Sequence, residues 1–477
     1  MGLTNKSTNQ ASCTVHFLII GGGIAGLACA TALRRVGHRV TVLEKDNYPE
    51  HALGGCRMAP NLTKILYHWG LEEEVQAIAI KSESIALLLY ESGEHLGRHR
   101  WAEEDMEETE GEFVLAQHSA FWKLLFDTAR AHGADIRLNT HVSSVDLRRQ
   151  SVTLESGQVL QADIIIGADG PTGLTREILQ GKAGVAVKPG VLNMYSTTIP
   201  KARIMEDPEL TFLYGEQTNM YSWLGNEHCV VGFPTGDTQF ALYAYGPNET
   251  PGERGRIAPK HELDAMLATS EPRLRKLAQL ADPPTQVPLD EYPELDNWVH
   301  EGGRLVVIGE AAHPLPSGSV QACAMAVEDG AVLAKLFSHL RTKDQISSFL
   351  WAFQDLRQPR CNSVVTKELR IIHFMTMPPG ERQESRDSSM RAKRDAGIGI
   401  LQAYDNHDEP REWTEIKEVF GYDAEDEADN WWVEWGILRE RSMGVDVSES
   451  SGTLAQRLRF PRHETYSRHV HHQNQKI

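Results

Sequence analysis

Three acidic side chains in this sequence follow short apolar runs. Glu44 comes after VTVL, Asp169 after IIIGA, and Glu310 after LVVIG. An unpaired charge beside a buried strand is costly, so each carboxylate needs a hydrogen-bonding partner. Ligands of open α/β sheets bind beyond the carboxyl ends of the strands. These acids are therefore predicted to stand at strand ends and to contact a polar ligand.

A glycine-rich turn, GGGIAG, lies between a strand-like run, Phe17–Ile20, and a helical stretch over residues 24–36. In the spacing GxGxxG, Gly21 permits a tight turn, Gly23 lets the backbone approach a pyrophosphate, and Gly26 lets the helix pack closely on the strand. The N-terminus of that helix offers unpaired N–H groups and partial positive charge to phosphates.

Glu44 follows this turn at the spacing, about twenty residues, that places an acid near the ribose of a dinucleotide. The flanking strands and the acid favour a dinucleotide site over a structural glycine turn. The motif itself does not distinguish NAD from FAD. The two later acids favour FAD, because a simple dehydrogenase needs no such pair of acidic strand ends.

Taken in order, these motifs resemble those of the FAD-dependent monooxygenases of the para-hydroxybenzoate and salicylate hydroxylase type. The resemblance covers roughly residues 15–375. It rests on three motifs: GGGIAG with Glu44, a DG motif at Asp169 and Gly170, and a GD motif at Gly309 and Glu310. The GEAAHP variant and the Trp-rich C-terminal region look most like fungal biosynthetic members of the family.

The resemblance implies that the first motif holds the ADP half of FAD, while the GD acid hydrogen-bonds the ribityl chain. The helix after the GD motif would point its N-terminus at the flavin pyrimidine. The DG motif is associated with both FAD and NAD(P)H, and the latter has no dinucleotide fold of its own. Further cofactor contacts are expected at Gly55, Arg57 and Cys323.

Several positions depart from the family pattern. Glu310 replaces the usual aspartate and is longer by one C–C bond, about 1.5 Å. Ser119 replaces an arginine that usually follows the histidine, and Arg57 is a candidate replacement charge. Gly173 replaces the serine of DGxxSxxR, although Arg176 remains. Three usual Pro or Gly positions of the next loop are occupied by Ser317, Val320 and Ala322.

The activity implied is hydride transfer from NAD(P)H to FAD, formation of a flavin C4a-hydroperoxide with O2, and transfer of one oxygen atom to an aromatic or polyene small molecule. Hydroxylation is the first expectation and epoxidation the second, with a secondary-metabolite substrate. His228 and Tyr195 are the candidate catalytic residues, because they lie in the predicted sheet over the flavin. The alternative is a flavin-binding pseudoenzyme or a non-oxygenating FAD oxidoreductase.

The predicted fold is α/β, with a Rossmann-like FAD-binding domain containing a parallel sheet, an inserted mixed β-sheet and a helical C-terminal region. The FAD-binding domain is assigned to residues 15–75, 113–185 and 300–340, and the substrate domain to 76–112 and 186–299. Residues 341–477 form the helical region with an acidic, Trp-containing tail. Within it, residues 378–395 have the composition of a linker or a solvated face.

The substrate domain carries aromatic residues with the alternation of strands. Any one of them fits the packing of the sheet's own core. As a set they suit an aromatic or extended apolar substrate. The set comprises Tyr195, Tyr214, Tyr221, Trp223, Phe233, Tyr243 and Tyr245.

Bulk composition narrows the remaining possibilities. The chain has 477 residues, 41% of them hydrophobic, and a formal charge of -18, which disfavours nucleic-acid binding. Its six cysteines are scattered, as in a protein with reduced thiols, and no metal site is predicted. The polar first residues lack the order of a secretory signal, and the apolar stretch 15–33 contains the glycine turn, so a cytoplasmic protein is expected.

Overall fold

The structure is a computed structural model that describes residues 10–47, 54–101, 106–181, 186–215, 217–249, 252–403 and 410–436. The described residues end at Gly436, so four histidines of the C-terminal tail lie outside them, at 463, 469, 471 and 472, and their interpretation from sequence as part of a solvated tail rather than a metal cluster stays a prediction. The chain divides into two units, Met1–Asp429 and Asn430–Ile477. The described part of the second unit includes a π-helical turn, Trp432–Gly436.

The described strands fall into two large sheets and two small ones. Their bounds are β1 (His16–Ile20), β2 (Arg39–Leu43), β3 (Gly55–Met58), β4 (Ala79–Lys81), β5 (Ser84–Leu89), β6 (His95–Arg100), β7 (Val114–Gln117), β8 (Asp135–Arg137), β9 (Val142–Asp146), β10 (Ser151–Leu154), β11 (Val159–Gln161), β12 (Ile164–Gly167), β13 (Leu192–Pro200), β14 (Asn219–Leu224), β15 (Cys229–Thr235), β16 (Gln239–Pro247), β17 (Arg256–Ile257), β18 (Thr285–Pro288) and β19 (Leu305–Val307).

The helices connect and cover these sheets. Their bounds are α1 (Ile24–Arg35), α2 (Pro60–His68), α3 (Glu72–Ile78), α4 (His118–Ala131), α5 (Leu174–Gln180), α6 (Lys201–Met205), α7 (Lys260–Met266), α8 (Pro272–Leu280), α9 (Ala322–Phe337), α10 (Ile346–Met375), α11 (Glu381–Asp395), α12 (Arg411–Phe420) and α13 (Ala424–Trp431).

A parallel sheet in the order β19-β12-β1-β2-β8 forms the first half of the structure. Its central strands are continuous apolar runs, as expected where helices cover both faces of a parallel sheet. Helices α1 and α9 pack on each other so closely that a Cβ at Gly330 would lie 2.8 Å from the backbone nitrogen of Cys29. The predicted Rossmann-like parallel sheet is confirmed.

A mixed sheet in the order β17-β18-β13-β16-β15-β14-β5-β6 forms the second half. Its pairs are antiparallel except β14 with β5. One face packs on α7 and α8 through buried side chains that include Tyr195, Trp223 and Leu263. The other face, with Met194, Phe233, Tyr243 and Tyr245, packs toward β3 and β7. The predicted mixed sheet is confirmed, and it is buried on both faces.

The C-terminal region is helical, as predicted. Of the two alternatives for residues 378–395, a linker and a solvated face, the structure agrees with the second, because only Asp387 and Met390 of the helix there are buried. Glu381–Asp395 is helix α11, and its Met390 packs with Leu96 and Leu224 against the mixed sheet. Arg391 of this helix forms an ion pair with Glu94, with Nε 2.8 Å from Oε1. Among the residues described, no helix is both long enough and apolar enough to cross a membrane.

Candidate active site

The three sequence motifs lie side by side at one edge of the parallel sheet. Strand pairing places Ile20 opposite Gly167, and Gly167 opposite Val307. The residues that follow these three positions therefore leave the sheet at the same level. Carboxyl ends of parallel strands are the usual ligand-binding edge of such sheets.

The glycine turn leaves open space in which a ligand can approach the protein backbone. Gly21 has φ +107°, and a Cβ there would lie 2.1 Å from the carbonyl oxygen of Ala168. A Cβ at Gly26 would lie 2.0 Å from the carbonyl oxygen of Gly21, so side chains are excluded at both positions. At Gly23, by contrast, a Cβ would meet nothing within 4 Å. Gly23 is also the N-cap of α1, which has no side-chain cap, so the open space meets uncapped N–H groups that suit a pyrophosphate.

Glu44, which follows the neighbouring strand β2, forms a hydrogen bond with the same turn. Its Oε2 accepts a hydrogen bond of 2.6 Å from the backbone N–H of Gly22, and its Oε1 accepts one of 2.9 Å from Asp46. A carboxylate has about four lone-pair sites, so it retains capacity for ribose hydroxyls. Glu44 therefore lies beside the glycine turn, at the position that its spacing in the sequence predicts.

The DG motif is held by its own helix. Asp169 Oδ2 accepts a hydrogen bond of 2.9 Å from the backbone N–H of Thr175, and Oδ1 accepts from the Thr175 hydroxyl. Burial raises the pKa of Asp169, although these hydrogen bonds oppose the rise. A Cβ at Gly173 would lie 2.2 Å from Asp169 Cγ, which explains why glycine stands at a position usually occupied by serine. Gly170 has φ +86° with open space beside it.

Arg176 ties the DG helix to the GD motif. Its guanidinium is buried and donates to the carbonyl oxygen of Ala311 at 2.8 Å and to that of Ala312 at 3.3 Å. It also donates to the carbonyl oxygen of Pro293. The arginine retained from the family pattern therefore fixes the segment that immediately follows Glu310.

Glu310 is only half-buried, in a 3-10 turn, Gly309–Ala311, beyond the end of β19. Its Oε1 lies 2.8 Å from Nη2 of Arg254, and Nη1 of Arg254 donates a 3.0 Å hydrogen bond to the hydroxyl of Ser317. The Glu310 carboxylate raises the pKa of Arg254. The partner of the strand-end acid in this structure is thus an arginine supplied by the mixed-sheet half.

The GD turn forms hydrogen bonds with a side chain of α9. The backbone N–H of Gly309 donates a 2.8 Å hydrogen bond to Asp329 Oδ2, which His313 Nε2 also contacts at 2.6 Å. Gly309 has φ +58°, and a Cβ there would lie 2.6 Å from Cβ of Ala25 in the first turn of α1. The GD motif and the glycine turn are therefore in direct contact.

His118, the first residue of α4, has a ring nitrogen close to this edge whose hydrogen-bonding capacity is unsatisfied. Its Nδ1 is buried, and no hydrogen-bond partner for it is found among the described residues. Burial lowers the pKa of His118, and the Glu310 carboxylate partly offsets this effect. A buried polar atom without a partner is costly, so it is a position at which a ligand would be stabilising.

The opposite wall of the site is built by β3. Arg57 donates a hydrogen bond to the carbonyl oxygen of Gly318, and its guanidinium carbon lies 5.7 Å from the ring centre of Phe233 and 5.8 Å from that of Tyr243. Tyr243 donates to the carbonyl oxygen of Gly55. Gly55 is tightly enclosed, since a Cβ there would lie 2.2 Å from the Phe233 ring.

The loop between the GD turn and α9 is clamped by two further side chains. Tyr245 donates a 3.1 Å hydrogen bond to the carbonyl oxygen of Ser317. Glu368, from α10, accepts hydrogen bonds from the backbone N–H groups of Val320 at 3.3 Å and Gln321 at 3.1 Å. Burial raises the pKa of Glu368, and Arg57 opposes that rise. These contacts hold the loop despite its loss of the usual Pro and Gly residues.

The candidate catalytic pair lies elsewhere. Tyr195 is buried on the sheet face that packs on α7 and α8, and its hydroxyl donates to Oε2 of Glu262 at 2.6 Å. His228 stacks on Tyr90 of the same cluster, with ring centres 5.3 Å apart. The expectation that both residues stand over the flavin is therefore corrected. Strand alternation turns Tyr195 away from the face that carries Met194 and Tyr243.

Sequence reasoning missed Arg254 and Glu368 in this site. Arg254 lies 56 residues from Glu310 along the chain, in a loop with no motif. Glu368 lies toward the C-terminal end of a long helix and 47 residues from Gln321. Tyr243 and Tyr245 were among the predicted aromatic set, but their alternation did not indicate which face meets the motifs.

The sequence profile of a family described as "FAD binding domain" matches residues 14–368. The chain belongs to this family. The match includes the glycine turn, the DG motif, the GD turn and the loop that Glu368 clamps. FAD fits the described geometry, because the open space at Gly23, the uncapped α1 N-terminus and the unmatched His118 Nδ1 all lie along this edge.

Relatives of the chain agree with this membership. The FAD-dependent monooxygenase OpS4 of Beauveria bassiana is 28% identical over 380 residues, which cover 79% of this chain and 89% of the relative. A structure of CtdE with FAD and a substrate has a TM-score of 0.73 at 18% identity and covers 91% of this chain and 100% of that one. A salicylate hydroxylase substrate complex has a TM-score of 0.68 at 18% identity, covering 87% and 97%.

The family model and the relatives confirm the predicted family resemblance, the flavoprotein monooxygenase class and FAD as the cofactor, and the solved structures confirm the fold. The residues that would hold FAD are those of the three motifs. Gly21, Gly23 and Glu44 would hold the adenosine and pyrophosphate, and Glu310 would approach the ribityl chain. The N-terminus of α9, which includes Cys323, would approach the flavin ring.

Proposed function

We propose that this chain is an NAD(P)H-consuming monooxygenase that transfers one oxygen atom of O2 to an aromatic or polyene small molecule. The product is hydroxylated or epoxidised, and the reaction belongs to secondary-metabolite biosynthesis. The supporting observation is an aromatic wall formed by Phe233, Tyr243 and Tyr245. Hydrogen bonds join it to strand β3 at Gly55 and to the loop at Ser317, which follows the GD turn.

Bound FAD would supply the redox chemistry, taking a hydride from NAD(P)H and activating O2. The protein's part is to bind, orient and exclude water. Burial raises the pKa values of Tyr243 and Tyr245, so both hydroxyls remain protonated donors at neutral pH. Each donates to a backbone carbonyl, which fixes the aromatic rings in place against a flat apolar substrate.

Arg57 is the cation of this wall. It is half-buried beside two aromatic rings, and it would attract an electron-rich or anionic group of a substrate. Glu368 holds the loop next to it and is a positioning residue, because its two oxygens accept hydrogen bonds from the backbone N–H groups of Val320 and Gln321.

Relatives support the proposal at the level of class. The printed name of OpS4 is that of an FAD-dependent monooxygenase from a fungus, and another relative is named 6-hydroxynicotinate 3-monooxygenase. The sequence carries no second GxGxxG after a strand-like run, so NAD(P)H is expected to bind only during the reductive step.

The test uses the full chain loaded with FAD and a panel of phenols and polyenes under isotopically labelled O2. We expect NAD(P)H oxidation that a panel member stimulates, with one labelled oxygen atom in the product by mass spectrometry. Oxidation of NAD(P)H that leaves every panel member unlabelled would contradict oxygen transfer and favour a non-oxygenating oxidoreductase. Bound flavin that NAD(P)H never reduces would favour a pseudoenzyme.

A further inference from the structure

Two cysteine thiols meet inside the cradle formed by β3 and α9. The Sγ atoms of Cys56 and Cys323 lie 3.3 Å apart, although 267 residues separate them along the chain. Cys56 is buried and Cys323 is half-buried. All six cysteines lie in the described part of the chain, and all are free thiols.

Their neighbours belong to the cofactor site. Cys56 lies between Gly55, whose carbonyl oxygen accepts the Tyr243 hydroxyl, and Arg57, which donates to the loop before α9. Cys323 is the second residue of α9, immediately after the loop that Glu368 clamps. The two sulfurs therefore connect the opposite walls of the cradle.

We propose that Cys56 and Cys323 form a redox modification site, a dithiol that hydrogen peroxide converts into a disulfide joining β3 to α9. A disulfide has an S–S length of about 2.05 Å, so the sulfurs would approach by little more than about 1 Å. Rotation about the Cα–Cβ bonds of the two cysteines is the movement that the bond requires.

The chemistry balances with peroxide as the oxidant. Cys323, the more accessible thiol, attacks one oxygen of H2O2, which gives a sulfenic acid and releases one water. The Cys56 sulfur then displaces the sulfenic hydroxyl, which leaves as a second water. Two thiols lose two electrons and two protons in total, and the peroxide is reduced to water. A thiol reductant reverses the reaction by disulfide exchange.

The consequence concerns exchange of the cofactor. A covalent bond between β3 and the first turn of α9 holds both walls at one separation, so entry and release of FAD would slow. The oxidised protein would also unfold at a higher temperature, because a cross-link over so long a loop restricts the unfolded chain.

The test treats the full chain with hydrogen peroxide, alkylates the remaining thiols after denaturation, and maps peptides without reduction. We expect a Cys56–Cys323 linked peptide, two fewer alkylated thiols and an intact mass lower by two hydrogen atoms, all reversed by dithiothreitol. FAD release from the treated protein, followed by flavin fluorescence, should slow. None of these readouts depends on turnover, so they stand apart from the proposed function.

Matched variants separate this site from general oxidation. Cys56→Ser should stop the reaction at a Cys323 sulfenic acid that dimedone traps, whereas Cys13→Ser, at a half-buried cysteine elsewhere, should leave the linked peptide unchanged. If the native sequence itself yields no linked peptide, with both thiols still alkylated, the proposal is wrong. A disulfide to any other cysteine would overturn it as well.

Discussion

Arg254 offers a physical reason for the glutamate at position 310. It lies in the loop between β16 and β17 and reaches Glu310 at 2.8 Å and Ser317 at 3.0 Å. An aspartate would end about 1.5 Å short of this position, according to ordinary C–C geometry. The longer acid is therefore suited to contact Arg254 while its second oxygen remains available to the cofactor.

Removing the Glu310 carboxylate should weaken FAD binding. A hydrogen bond to a charged group contributes about 1.5–3 kcal/mol, so Glu310→Ala is expected to raise the Kd for FAD by roughly 10- to 100-fold. Glu310→Asp should raise it less. Fluorescence titration of the flavin-free protein gives these values. As a control, Glu291→Ala removes an exposed ion pair in which Oε2 of Glu291 lies 3.8 Å from Nζ of Lys188, and this variant should leave the Kd for FAD unchanged. An unaltered Kd in Glu310→Ala would remove the role assigned to this acid.

The two faces of the mixed sheet provide a second test at single residues. Tyr245→Phe deletes the donor to Ser317 and is expected to lower kcat/KM for substrate-stimulated NAD(P)H oxidation by roughly tenfold, the value of one hydrogen bond. Tyr195→Phe deletes a hydroxyl on the opposite face and should leave kcat/KM near that of the native protein. Equal losses in both variants would show that the assignment of faces is wrong.

At the residue scale, the motif positions could be predicted because each requires a particular backbone. Gly21 and Gly26 exclude any side chain, and this requirement shows in the sequence itself. The face of Tyr195 could not be predicted, because both faces of the sheet are buried and both carry aromatic residues. Alternation identifies a strand, but it does not identify which side meets the cofactor.

Between α9 and α10 lies a fully buried set of charges. Arg357 of α10 contacts Glu328 at 2.7 Å and Asp329 at 2.9 Å, and none of the three side chains is exposed to solvent. Asp329 in turn holds the backbone N–H of Gly309. The two helices therefore position the GD turn through ion pairs rather than through apolar packing alone.

Breaking this set should be strongly destabilising. Arg357→Ala removes the cation that Glu328 and Asp329 share and leaves each with one ion-pair partner, Arg360 at 3.2 Å and His313 at 2.6 Å respectively. We expect the free energy of unfolding to fall by about 3–5 kcal/mol. Urea denaturation followed by circular dichroism measures the loss. Arg370→Ala is a control on the same helix, since its pair with Glu415 is 3.8 Å long and the arginine is 62% exposed. That variant should remain within about 0.5 kcal/mol of the native protein. Similar stability in both variants would contradict the importance given to the buried pairs.

The same cluster predicts a dependence of stability on pH. Burial by itself would lower the pKa of His313, but Asp329 and Cys361 raise it from 6.5 to about 10. Above pH 6.5 the unfolded histidine loses its proton while the folded one keeps it, so stability should fall as the pH rises toward about 10. Urea midpoints across this range check the slope.

His313→Gln is the matched variant for this effect. It cannot titrate, so its stability should change less steeply with pH over the same interval. Arg357 and Asp329 also face this site. Against the effect of burial, nearby charges raise the pKa of Arg357 and lower that of Asp329, so both groups keep their charges in that interval. A slope in the variant as steep as in the native protein would assign the effect to other groups.

Elements with a strong periodic pattern were predictable, whereas polar helices were not. The parallel strands and α1 follow from apolar runs and glycine spacing. Helix α11 does not, because it has few apolar residues and is held by Met390 and by ion pairs of Arg391 and Arg394 with Glu94. Its composition resembles that of a linker, and only the sheet edge opposite supplies the partners that order it.

Across the whole molecule, FAD would contact segments that are far apart in the chain. A ligand that binds only the folded state stabilises it by about 2.7 kcal/mol at one hundred times its Kd. Thermal unfolding of the FAD-loaded protein should therefore occur at a higher temperature than that of the flavin-free protein. AMP, which offers contacts only to the glycine turn and Glu44, should raise the midpoint less. Equal midpoints with and without bound FAD would contradict a cofactor site assembled from all three motifs.

The division into two sheets could be predicted at this scale, because strand-like runs with turn residues separate the motif segments. The attachment of the two halves could not. It depends on contacts such as Arg254 with Glu310 and Tyr245 with Ser317, which join residues that no local pattern connects. Such contacts become visible only when both sheets are in place.

The in-register alignment of Ile20, Gly167 and Val307 also has a consequence for protein synthesis. The glycine turn leaves the ribosome early, but β12 and β19 must pair with strands already made, and these long-range parallel pairings form slowly. The GD turn is held only after Asp329 has emerged, and the loop beside it only after Glu368. FAD is therefore expected to bind only late in synthesis. Until then the nascent chain exposes an unpaired strand edge, which can pair with other chains.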